Sequence, residues 1–197
     1  MRTEAVPGAD GLLRCPWSLS RPELTDYHDR EWGQPVRSAS GLFERLTLEA
    51  FQSGLSWLTI LRKRENFRTA FVDFDPERVA AFGPADVDRL LGDAGIVRNR
   101  AKIEAAVHNA AVVAAMGPDF ADLVWSYADP KRPRPTLADW RATSPESVAL
   151  ARVLKQRGIR FFGPTTAYAM MQATGLVDDH LADCHVPRVP GGQRAPE

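Results

Sequence analysis

Cysteine is scarce in this chain of 197 residues. Cys15 and Cys184, near opposite ends, are too few to staple a secreted domain. No apolar run approaches the roughly 20 residues that span a bilayer. The opening MRTEAVPGADGLLR also lacks the charged-then-apolar layout of a secretory signal. Excess charge is missing as well: 25 basic against 25 acidic residues give a formal net of +0. That balance argues against a polybasic nucleic-acid coat or membrane binder but leaves a locally basic face open. Internal repeats are absent from the letters, and strand-like alternation is scarce. A cytoplasmic chain with no membrane partner is expected. Nothing resembles a dimer motif, so a monomer is expected too.

What remains is helical punctuation, and the expected class is all-α. Ser40 is placed to cap a helix through Leu42, Phe43, Leu46 and Ala50, and a second helix starts near Ser56. Asp75-Pro76 and Pro84 open two short helices, with Gly83 and Gly92 as their stops. An Ala- and Val-rich helix runs from about Arg98 to Met116, ended by Gly117. Ser144-Pro145 and Pro164 open the last two, stopped by Gly158 and Gly175. Residues 1–13 read as a loose extension, 14–187 as the domain and 188–197 as a loose tail. The proline-stiffened DPKRPRP at 129–135 is the best boundary between two lobes.

Each cysteine has a histidine companion. His28 follows Cys15 by thirteen residues, and His180 precedes Cys184 by four, one helical turn. Two thiolates and two imidazoles make a closed tetrahedral zinc set, which would be structural and would tie the chain's start to its end. Two unrelated thiols with surface histidines fit the same spacing. His185 is a rival ligand, and His108 reads as a core or surface histidine.

Glu49 lies three residues after Leu46 and seven after Leu42, on the face that periodicity assigns to the core. A carboxylate there must be hydrogen-bonded, paired with a cation, or neutral. A structural ion pair with one of the many arginines is the plainer reading. The other is a pocket in which aromatics drawn from Phe43, Phe51 and Trp57 and, upstream, Tyr27 and Trp32 sandwich a flat ligand while the acid reads its edge.

The segment LKQRGIRFFGPTTAYAMMQATG at 154–175 reads helix, glycine turn, helix. Thr165 and Thr166 stand in the first turn of the second helix, whose free N–H groups could meet phosphate. Lys155, Arg157 and Arg160 make that turn basic. An ordinary helix–helix turn uses the same glycines. Two further basic clusters are Arg62, Lys63, Arg64 and Arg98, Arg100, Lys102. Converging in space they would form a phosphate track; apart, they are solvated helix faces.

Taken together, RCPW, YHDREWG, LEAFQSGLSW, ILRKRENFR, DAGIVRNRAKI, DLVWSY and RGIRFFGPTTAYAMMQATGLVDDH resemble the 3-methyladenine DNA glycosylase I family. The resemblance runs from about Arg14 to Pro187. It implies an all-α helix-hairpin-helix glycosylase fold, two helical lobes around a base-binding cleft, with one structural zinc on Cys15, His28, His180 and Cys184. It also implies a DNA-binding hairpin from Arg157 to Thr166, including Gly158, Arg160, Gly163, Thr165 and Thr166. The wedge turn falls on Gly54, Leu55 and Ser56. The base pocket falls on Tyr27, Trp32 and Trp57, with Glu49 as its acid. One departure is Leu24, where family members can carry a tyrosine; the N-terminal extension is another.

The implied activity is monofunctional excision of 3-methyladenine from double-stranded DNA, without strand cleavage. Leu55 would fill the vacated stack; Asp178 and Asp179 follow the hairpin where superfamily relatives carry a catalytic aspartate, but the preferred reading is that they cap or orient His180. A lesion-sensing DNA-binding protein without catalysis is the alternative.

Overall fold

The computed structural model describes residues 4–130 and 132–188. Nine α-helices make up the architecture among them: α1 (Pro22–Arg30), α2 (Ala39–Gln52), α3 (Trp57–Ala70), α4 (Pro76–Ala80), α5 (Pro84–Gly92), α6 (Arg100–Met116), α7 (Asp119–Trp125), α8 (Pro145–Gln156) and α9 (Pro164–Ala173). The all-α expectation holds. The strands β1 (Val6–Pro7) and β2 (Leu13–Arg14) form only a two-residue antiparallel hairpin.

Local chemistry sets most helix starts. Ser56 Oγ accepts from Thr59 N at 3.2 Å, and Asp75 from the N–H groups of Glu77 and Arg78 at 3.0 and 3.2 Å. Helix α2 begins differently from the sequence expectation. Its cap is Ser38, which accepts from Gly41 N at 3.1 Å, so Ser40 lies inside the first turn. Gly83 does not stop α4, which ends at Ala80; it caps the start of α5. Asn99 caps α6, which begins at Arg100, two residues after the expected start near Arg98. Helices α1 and α7 escaped the sequence reading because each is short and neither starts at a side-chain cap.

Two apolar cores result. The larger is built on α2 to α9, with Phe51, Phe67, Phe71 and Phe74 edge-on or stacked at centroid separations of 4.9 to 6.1 Å. The smaller gathers Ala5, Cys15, Tyr27, Trp32, Leu181, Cys184 and Val186 from the two ends of the chain. Trp57 packs against both.

Two organisational expectations differ from what the structure contains. Residues 4–13, read as part of a loose extension, fold back: Ala5 is buried, and the Asp183 carboxylate accepts from Glu4 N at 2.7 Å. Residues 1–3 and 189–197 lie outside the described residues. The 129–135 segment is no inter-lobe linker. Arg132 pairs with Asp179 at 3.1 Å and Arg134 with Asp178 at 2.8 Å, while Pro135 O accepts from Ala182 N at 3.1 Å. Arg132 and Arg134 find the buried Asp179 and the half-buried Asp178, which straps them to the C-terminal segment.

Gly175 ends α9 at φ +72°, and a Cβ there would meet Gly33 O at 2.7 Å and the backbone of Gln34 and Pro35 at 3.0 Å. Both the left-handed conformation and the backbone contact reject a side chain. Gly175→Ala is expected to destabilise the protein by about 2–4 kcal/mol, read as a lower urea midpoint at unchanged m.

Candidate functional site: an acid in an aromatic cavity, a basic hairpin and a ligand cluster

Between the two cores lies a cavity of about 280 Å³. Its walls are Trp17 and Trp32 from the chain's first third, Tyr27 of α1 and Trp57 of α3. Glu49 and Gln52 face it from α2, one turn apart, and Ala169 and Gln172 from α9. The aromatic rings pack at angles: Tyr27 and Trp57 at 5.4 Å, Trp17 and Trp32 at 5.2 Å. This volume is at the small end for ligand pockets, suited to one flat heterocycle.

Glu49 is only 7% exposed, and its side chain makes no hydrogen bond or ion pair among the described residues. The arginine reading fails for a local reason. Arg45, one turn earlier on α2, pairs with Glu31, as does Arg64. Glu31 therefore takes Arg45, and Arg141 on the cavity wall makes no ion pair with Glu49 among the described residues. Burial pushes the Glu49 carboxyl up to about 8, with Arg45 only partly opposing. Burial likewise raises the Tyr27 phenol well above its ordinary range, keeping it a neutral donor.

Sequence reasoning placed Tyr27, Trp32, Glu49 and Trp57 together, and the fold brings all four to this cavity. It missed Trp17, Gln52, Trp140, Arg141 and Gln172. Gln52 alone carried a legible signal, its i+3 spacing from Glu49. Trp140 and Arg141 arrive on the loop before α8, and no periodicity marks them.

Gly54, Leu55 and Ser56 form the turn between α2 and α3. Gly54 sits at φ +84°, which leaves Leu55 43% exposed at the tip. Lys102 pins this turn by donating to Phe51 O at 2.9 Å and Ser53 O at 2.7 Å.

The helix–turn–helix of α8 and α9 carries Gly158 at φ +101° and an exposed Phe161 at φ +55°. Helix α6 clamps the turn: Asn109 accepts from Arg160 N at 2.8 Å and donates to Arg160 O at 3.0 Å, while His108 donates to Gly158 O at 3.0 Å. His108 is thus neither plain core nor plain surface. Lys155, Arg157 and Arg160 are exposed with no carboxylate within ion-pair distance among the described residues, beside Gly163, Thr165 and half-buried Thr166. A groove lined by Lys155, Gly158 to Pro164 and Thr166 extends to Ser53 of the α2–α3 turn.

The other basic clusters do not build a track. Arg62 pairs with Glu23 at 2.8 Å, Arg64 with Glu31, and Arg100 with Asp88 at 3.1 Å. Lys63 and Lys102 donate to backbone carbonyls. Arg98 alone of the six is exposed with no such partner among the described residues, and one cation does not make a track.

Cys15, His28, His180 and Cys184 converge, all buried, with one donor atom of each within 4.8 Å of the others. His180 Nδ1 lies 3.2 Å from His28 Nε2, and Cys184 Sγ lies 3.5 and 3.6 Å from these two nitrogens. The far nitrogens are held outside the cluster, His28 Nδ1 by Asp29 at 2.8 Å and His180 Nε2 by Trp32 O at 3.1 Å. His185 is not in the set; its Nε2 bonds Asp29 at 3.1 Å. Burial pushes Asp29 upward, but hydrogen bonds from Arg14, His28 and His185 win and hold it well below the usual carboxylate range. Asp178 accepts from His180 N at 3.3 Å, whereas Asp179 turns away to Tyr168, Gln172 and Arg132.

With this geometry in hand, the chain can be set beside known proteins. A family profile described as methyladenine glycosylase matches residues 17–187. A DNA-3-methyladenine glycosylase of Escherichia coli is 46% identical over 180 residues, covering 88% of this chain and 96% of the relative. One of Haemophilus influenzae is 45% identical over 177 residues, covering 87% and 96%. The solved 3-methyladenine DNA glycosylase I of Staphylococcus aureus, described for its recognition of 3-methyladenine, superposes with a TM-score of 0.83 at 37% identity. That superposition covers 89% of this chain and 97% of the other. The chain belongs to the methyladenine glycosylase family.

Proposed function

We propose that the protein excises 3-methyladenine from alkylated double-stranded DNA by hydrolysing the N-glycosidic bond, leaving an abasic site for base excision repair. The observation that carries this reading is Glu49, buried and unpaired on the wall of an aromatic cavity of about 280 Å³. Its relatives are named for this activity.

Methylation at N3 makes the adenine cationic and a good leaving group, so selective access matters more than strong acid catalysis. The base must leave the stack, at a cost that is smaller for a damaged base. Leu55, exposed at the tip of its turn, is the side chain to fill the gap. The hairpin's unpaired cations and the N–H groups of Gly163, Thr165 and Thr166 supply the phosphate contacts. Inside the cavity, the faces of Tyr27, Trp32 and Trp57 attract a cation by about 1–2 kcal/mol each. Glu49, ionised opposite the charged base, prefers it over neutral adenine and steadies the departing purine. No lysine lines the cavity among the described residues, so a Schiff-base lyase step has no nucleophile there. Cavity, wedge turn and hairpin all come from one chain, which supports a monomer as the acting unit. No described helix is long and apolar enough to cross a membrane, and the cytoplasm is the proposed location.

The ligand cluster fits zinc. Tetrahedral bonds of about 2.05 Å to nitrogen and about 2.3 Å to sulfur imply N···N near 3.3 Å and N···S near 3.6 Å, against the 3.2, 3.5 and 3.6 Å found. With four protein ligands the ion would be structural, joining the chain's start to its end.

Three outcomes are expected. Glu49→Gln should lower kcat/KM for 3-methyladenine release roughly 30- to 150-fold, about 2–3 kcal/mol of transition-state stabilisation. Wild-type protein that binds alkylated DNA yet frees no base would favour the sensor reading instead. The second outcome concerns pH. A carboxyl raised from 4.5 to about 8 binds a proton in the fold that the unfolded chain has released. Stability should therefore fall as pH climbs from about 4.5 to about 8, by up to about 1.4 kcal/mol per unit, and level off above. Glu49→Gln should remove that dependence, as unfolding at pH 5, 6.5 and 8 would reveal. Third, elemental analysis should find one zinc per chain, retained in Glu49→Gln but lost in Cys184→Ser together with a marked drop in Tm.

A further inference from the structure

Gln172 lines the cavity from α9, which packs against the helix that carries Glu49. Its Nε2 donates to Asp179 Oδ2 at 2.8 Å. Asp179 is 1% exposed, receives the Tyr168 hydroxyl at 2.5 Å on the same oxygen, and lies 3.1 Å from Arg132 Nη1. That guanidinium also donates to the Tyr168 oxygen at 2.5 Å. Tyr168, Gln172 and Arg132 thus all aim donors at the Asp179 carboxyl. This fixes an orientation that is otherwise ambiguous for an amide: Gln172 must turn its NH₂ to Asp179, leaving Oε1 as its free polar atom. No protein donor claims that oxygen among the described residues.

We infer that Gln172, locked by Asp179, is a specificity-determining residue that makes the cavity select a purine with an amino group at C6 over one with an oxo group. This rests on the reading that the cavity takes the flipped base. Acceptors then meet the base from two helices, the Glu49 carboxylate on α2 and Gln172 Oε1 on α9. An exocyclic amine offers two N–H donors to such a pair. An oxo group in its place sets oxygen against oxygen and leaves buried acceptors unpaired, the kind of mismatch that discriminates strongly. Asp179 is a positioning residue that acts only through the amide.

The test compares release of 3-methyladenine and 3-methylguanine from methylated DNA by wild type, Gln172→Met and Asp179→Asn. The thioether of Gln172→Met keeps the volume and removes the acceptor. The wild type should favour 3-methyladenine, and the kcat/KM ratio of the two lesions should fall about tenfold or more in Gln172→Met. Asp179→Asn frees the amide to flip and should shift the ratio the same way; Gln172→Met alone decides the matter if Asp179→Asn does not fold. A ratio unchanged in folded Gln172→Met overturns the inference while leaving the excision reading standing. Wild-type protein that releases neither base overturns both.

Discussion

The site depends on keeping a buried carboxyl free of a counterion. Arg45 sits one turn from Glu49 on the same helix. Glu31 prevents the obvious pairing by accepting from both Arg45 and Arg64. The result is a proton-binding group in an apolar wall, a cost in folding that leaves room for a cation arriving from outside. A pocket already neutralised from within would have no reason to prefer a charged base. Selectivity for a cationic lesion thus begins with an ion pair made elsewhere.

The sequence was most informative where chemistry is local. Ser56, Asp75, Pro84, Ser144 and Pro164 mark helix starts through caps and fixed φ angles, and these are where the helices begin. Ser40 misled because two serines stand two residues apart, and only packing selects Ser38. The termini read as loose because their burial is mutual: Ala5 and Val186 meet few apolar neighbours in their own segments and many in each other's. Long-range exchange of that kind has no periodicity to betray it.

The candidate site divides along the same line. Glu49 was legible because an acid on an apolar face is chemically odd, but the letters offered Phe43 and Phe51 beside it as readily as Tyr27, Trp32 and Trp57, and it was the resemblance that singled out the last three. Gln172 and Trp140 look ordinary in the letters, and only the fold brings them to the cavity. The basic clusters show the converse. Arg62, Arg64 and Arg100 look as cationic as Arg157 and Arg160, yet their charges are spent on Glu23, Glu31 and Asp88. Charge in a sequence is potential; partners decide what remains.

Helix α1 gives the architecture a further property. Tyr27 and His28 are consecutive, so one nine-residue helix presents a ring to the cavity and an imidazole to the ligand cluster about a quarter turn apart. Neither centre can be remodelled alone. Rotating the helix to widen the cavity would pull His28 Nε2 out of its cluster, and sliding it to suit a different ion would tip Tyr27 against Trp57. The two centres therefore share one mechanical degree of freedom, and that coupling narrows the changes either can accept.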